Sequence, residues 1–245
     1  MNKLLVDKVA LVVGSSRTVV ASIVQKLLLE GVRVILPAKS AQEVALLSQR
    51  IGGVNTDKLV TLLVDYPDYD KAFELAECVK EKYGKIDLAV ICFDTPVSEQ
   101  LLTKTDIIDW EKMVDHSITT FFVAAHVVLG NMRENKQGMF ISINSANDTI
   151  NKCPSALGSI SRTMQTEMAK VFYEEGKLDN IKCYHLITAH SKTPEINTTR
   201  AEIPRIAEDD IGVFIVQLFK ENGVGAEHLF QKFAVNAAGT TAFGI

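Results

Sequence analysis

The stretch VALVVGSSRTVVASIVQKLLLEG, Val9 to Gly31, decides the fold. Val9–Val13 is a short run of apolar, mostly β-branched residues, which suits a strand covered on both faces. Gly-Ser-Ser follows, a turn signal. Val20, Ile23, Val24, Leu27 and Leu28 then recur every three or four positions, one apolar face of a helix that Gly31 ends. Strand, tight turn and helix in this order open a βαβ unit.

Working outward, the same alternation runs through the chain. Strands are predicted at Val9–Val13, Arg33–Pro37, Lys58–Val64, Leu88–Cys92, Met139–Asn144, Ile181–Ile187 and Phe230–Val235, with helical periodicity between them. This predicts an α/β, doubly wound parallel sheet with helices on both faces. No repeat or linker divides the chain, so residues 1–245 read as one domain. Ile160, Met164, Met168, Val171 and Phe172 form a second apolar stripe, read as helix core and subunit interface, and Gly176 is read as a helix end. Thr188–Asp210 is the longest unpatterned connection and reads as a lid or binding loop.

Composition excludes several functions. A net charge of −4 with scattered basic residues offers no field for nucleic acid. No uninterrupted apolar run approaches the roughly 18 residues a membrane span needs. The N-terminus lacks the pattern of a cleaved leader, so the chain reads as cytoplasmic. Cys78, Cys92, Cys153 and Cys183 lie far apart without a CxxC pair, as expected of reduced core or near-core thiols. His185 and His190 flank the presumed substrate side, but two histidines do not make a metal site, and none is expected.

The Val9–Gly31 unit resembles the first unit of the short-chain dehydrogenase/reductase (SDR) family, whose turn reads TGxxxGxG. Gly14 matches the first glycine; Thr18 and Val20 stand in the other two glycine places. The resemblance continues in order through VTLLVDYPDYDKAFELAECVKEKYGKIDLAV, DIIDWEKMVDHSITTFFVAAHVVLGNM, GMFISINSAND, AEDDIGVFIVQLF and VNAAGTTAF. It implies a Rossmann-type fold, a bound nicotinamide dinucleotide and hydride transfer assisted by a serine, a tyrosine and a lysine.

Position by position, those implications weaken. Ser145 matches the catalytic serine, but the tyrosine place holds Gly158 and the lysine place Arg162. Ser117 stands for the asparagine of the interface helix, and Ile91, Cys92, Phe93 and Asp94 for the NNAG turn; Thr188 and Ala189 replace a Pro-Gly pair. Glycine has no proton to give, and arginine keeps a charge with no phenol to tune. The vestigial cofactor residues are Gly14, Ser16, Arg17, Lys39 and Asp65. No cofactor is expected; were a dinucleotide to bind, Lys39, with no acid after the second strand, favours NADP over NAD.

Each remnant also has a plain structural reading. Ser145 caps a turn, Gly14 serves a sharp bend, Asp65 holds backbone N–H groups and Arg162 is a solvated or ion-paired surface residue. In the family, the helices matching Asp109–Arg133 and Ser155–Glu175 pair with those of a neighbouring subunit. The chain therefore resembles the inactive partner subunits of a heteromeric SDR alcohol dehydrogenase, as in anaerobic toluene degradation. The expected role is a catalytically silent subunit of a homo-oligomer, or of a hetero-oligomer with an active SDR paralogue. Two alternatives stay open: an active NAD(P)-dependent oxidoreductase with non-standard groups, and a small-molecule-binding or regulatory protein whose cleft is lined by Phe93, Asp94, Ser145 and the His185–His190 region.

Overall fold

A computed structural model describes residues 4–15, 17–64, 66, 68–93, 100–145, 156–188, 208–223, 230–235 and 241–244. Their strands form one sheet. β1 (Val9–Gly14), β2 (Arg33–Ala38), β3 (Leu59–Leu63), β4 (Leu88–Cys92), β5 (Gly138–Ser145), β6 (Ile181–Thr188), β7 (Phe230–Val235) and β8 (Thr241–Gly244) lie in the order β3-β2-β1-β4-β5-β6-β7-β8. The first seven are parallel, as expected. β8 pairs antiparallel with β7 and is an addition to the predicted set. Its four residues are too few for a periodic signal, and an antiparallel edge strand is a common ending for such sheets.

Two apolar layers cover the sheet. On one face α1 (Arg17–Leu29), α2 (Ala41–Ile51) and α7 (Glu208–Lys220) bury Val20, Leu47 and Ile215 against Val12, Leu36 and Ile141. On the other, α3 (Tyr69–Tyr83), α5 (Thr120–Asn135) and α6 (Ala156–Leu178) bury Ala72, Val128 and Phe172 against Leu11, Ile91 and Phe140. The predicted α1 face is all core: Val20, Ile23, Val24, Leu27 and Leu28 are buried.

A short helix, α4 (Ile107–Met113), runs into α5 through a π turn at Val114–Thr119. The continuous run Ile107–Asn135 is long and apolar enough by composition to cross a membrane, which the run-length reading did not anticipate. Its apolar side chains are spent on the core instead, with 56% of the most apolar stretch buried.

Three further expectations change. Gly176 does not end a helix. It lies inside α6, where a Cβ would stand 2.7 Å from Cys183 Sγ, and the chain reverses only at Asn180, in the left-handed region at φ 57°. Cys78 is exposed on α3, whereas Cys92 and Cys183 are buried, and none of the three forms a disulfide. Burial pushes the Cys183 thiol up to about 12, leaving it protonated and inert. The α6 stripe divides: Phe172 is buried and Met168 packs partly buried against the same layer, while Met164 and Val171 are 43% and 54% exposed. The inward face of α6 also carries Gly158, Ser161, Arg162 and Gln165, which apolar spacing does not mark.

Asp87 fixes the entry to β4. Its buried carboxylate accepts from Val9 N (3.0 Å) and Lys8 Nζ (2.9 Å), with Lys85 Nζ at 3.4 Å. Asp87→Ala leaves that amide and the ammonium without their acceptor. A loss of about 2–3 kcal/mol is expected in urea unfolding, with Asp87→Asn losing less because it keeps the bond to Val9.

Candidate functional site

In a parallel sheet of this order the crevice opens beyond the carboxyl ends of the strands, where β1 and β4 diverge to opposite neighbours. The register gathers several predicted residues there. Gly14 pairs with Cys92 across β1 and β4, and Ser145 pairs with Thr188 at the ends of β5 and β6. Ser16, Asp65, Asp94, Cys153, Ala189, His190 and most of the Thr188–Asp210 connection lie outside the described residues.

Gly14 answers to a protein neighbour. A Cβ there would stand 2.2 Å from the Cys92 carbonyl oxygen, and the next amide, Ser15 N, donates to that oxygen at 3.0 Å. Thr18 is half-buried, and Val20, in a glycine place, is fully buried beside Val12. The helix and strand thus accommodate the valine within the core. At the end of β2, Lys39 is exposed, and its backbone N–H donates to Glu43 Oε2 at 2.8 Å; Ser40 Oγ caps the same turn through Glu43 N. A carboxylate therefore sits beside the position read as NADP-selective. Phe93 packs inward with Ile91 against the α3–α5 layer.

The catalytic-side positions meet on α6. Gly158 is buried, and Arg162, one turn on, is only 8% exposed. This corrects its reading as a surface residue: the α6 face that carries it is the one pressed toward β5. Asn144 Nδ2 donates to the Arg162 carbonyl at 3.4 Å, tying β5 to the helix. Ser117 lies in the π turn, fully buried, and its carbonyl accepts from Gln165 Nε2 at 3.1 Å. Ser117 Oγ and Gln165 Oε1 have no partner among the described residues.

His185 was assigned to the substrate side and is instead core. It is fully buried, with Ser142 Oγ 2.7 Å from Nδ1 and Thr166 Oγ1 3.1 Å from Nε2. As a neutral ring it accepts with one nitrogen and donates with the other. Burial, helped by the charge of Lys170, pushes its pKa down to about 4. Sequence reasoning missed Gln165, Thr166 and Ser142; their only signal was polar residues at helical spacing beside a stripe assigned to the core. No group of three His, Cys, Asp or Glu that could hold a metal occurs among the described residues.

With this geometry in view, a family model described as short chain dehydrogenase matches residues 8–203. The chain belongs to the short-chain dehydrogenase family. It is 30% identical over 172 residues to an uncharacterized oxidoreductase of Staphylococcus saprophyticus, covering 67% of this chain and 73% of that one. An uncharacterized oxidoreductase of Staphylococcus aureus is 22% identical over 174 residues, 68% and 74% of the two chains. Among solved structures, a metagenomic short-chain oxidoreductase in complex with NADP superposes with a TM-score of 0.70 at 18% identity, over 94% of this chain and 96% of that one. A putative short-chain dehydrogenase/reductase from Burkholderia xenovorans gives 0.74 at 18%, over 89% and 91%. The fold is thus the Rossmann-type fold of this oxidoreductase family.

The buried histidine makes a pH prediction. Its folded pKa lies below the unfolded value of 6.5, so its contribution is complete above pH 6.5 and is lost as pH falls toward about 4. The whole effect is on the order of 3 kcal/mol. Urea unfolding of the wild type should weaken between pH 6.5 and 5, above the range where most carboxylates titrate; His185→Asn should flatten that slope.

Proposed function

We propose that this chain is a catalytically silent SDR subunit that supports an oligomeric alcohol dehydrogenase or ketoreductase, as the inactive partner subunits of heteromeric SDR enzymes do. One observation carries the reading: the two sides of α6. Its inner face holds Gly158 where the family's chemistry needs a phenol, and its outer face presents Met164 and Val171 to solvent. A helix that buries serine, arginine and glutamine while exposing methionine and valine is suited to a second protein surface. Phe122 on α5, at 45% exposure, and Trp110 on α4, at 36%, are further large apolar side chains left exposed.

Three features of the described residues support weak binding of a dinucleotide. The amide after Gly14 is already bonded to Cys92 O, Val20 belongs to the core, and Glu43 places a negative charge at the Lys39 amide. That carboxylate also weakens the preference for NADP read from Lys39. The partner we favour is another SDR-fold subunit, a second copy or an active paralogue, met through the helices near 109–133 and 155–175. The buried cysteines Cys92 and Cys183, outside any disulfide, agree with a reducing, cytoplasmic setting.

Calorimetry on the purified chain should give NAD(H) and NADP(H) dissociation constants weaker than about 100 μM. A low-micromolar value overturns the silent reading. Light scattering should find an oligomer, alone or with a co-purifying SDR protein; monomer under both conditions overturns the docking role. Gly158→Tyr combined with Arg162→Lys should not by itself confer dehydrogenase activity, because Val20 and the committed Ser15 amide remain.

A further inference from the structure

The π turn is a costly thing to keep in a subunit without chemistry. A π turn takes one extra residue per turn and loosens the regular ladder. Here Thr120 N reaches back five residues to Asp115 O, and Thr120 Oγ1 donates to the same oxygen at 2.8 Å. A second anchor comes from outside the helix, the Gln165 Nε2 bond to the Ser117 carbonyl. The fully buried Ser117 carbonyl thus accepts from Thr120 N within the turn and from Gln165 Nε2 outside it, and the second bond is what ties the turn to α6.

The extra residue sets the phase of the outward surface. Successive residues of an α-helix are turned by about 100°. Over the twelve positions from Trp110 to Phe122, an uninterrupted helix would leave the two side chains about 120° apart, on different faces. One inserted residue takes back about 100°, bringing them to within about 20°. Both are exposed, and Phe122 stacks on His126 of the next turn.

We propose that Gln165 is a positioning residue: by bonding the Ser117 carbonyl it holds the π turn that brings Trp110 and Phe122 onto one outward face. What that face docks rests on the oligomer reading above; the phase of the helix does not.

Trp110 is the only tryptophan in the chain, so intrinsic fluorescence reports on this face alone. Gln165→Met keeps the volume and removes the donor. It should shift Trp110 emission and its quenching by acrylamide at dilutions where light scattering shows the smallest species. It should also speed hydrogen exchange across residues 114–123 by about tenfold and weaken self-association by about the same factor. Ser117→Ala should leave all three unchanged, because the bond is to the backbone. Should Gln165→Met fail to fold, Thr120→Val, which removes the Oγ1 anchor, should move the same readouts. Unaltered Trp110 quenching and exchange, with only a lowered thermal midpoint, overturns the proposal. A wild type that is monomeric overturns the docking reading instead, while the fluorescence and exchange results still decide the role of Gln165.

Discussion

A methyl group on residue 14 would meet the Cys92 carbonyl oxygen at 2.2 Å, because β1 and β4 close on each other where the sheet changes direction. That approach is what the centre of the molecule is built around. It aligns Gly14 with Cys92, uses the Ser15 amide, and directs α1 so that Val20 lands in the core. Packing alone is enough to require a glycine at this position.

The second organising feature is polar. Along α6, Gln165 bonds the π turn, Thr166 bonds His185, and the Arg162 carbonyl receives Asn144. Three successive anchors thus join one helix to α5, β6 and β5. Buried hydrogen bonds of this kind add little net stability but penalise any arrangement that breaks them. They fix which side of α6 faces inward more strictly than hydrophobicity does, and so leave Met164 and Val171 outside. The burial of Gly158 and the exposure of Met164 and Val171 are two consequences of one helix orientation.

Much of this was legible in the chain itself. The strand-turn-helix alternation from Val9 onward determined the parallel sheet, its layers and the family, because β-branched runs and helical apolar spacing are local signals. The empty tyrosine place at Gly158, Val20 in a glycine place and the absence of a metal-ligand pattern were equally local. What only the tertiary structure decided concerns partners distant in sequence. His185 is core because Ser142 and Thr166 close around it, Arg162 is buried because Gly158, Ser161 and Gln165 share its inward face, and Gly176 is a contact for Cys183 rather than a helix end. Periodicity specifies that a helix has two faces; which face turns inward depends on hydrogen bonds and close contacts that form only once the strands and helices have met.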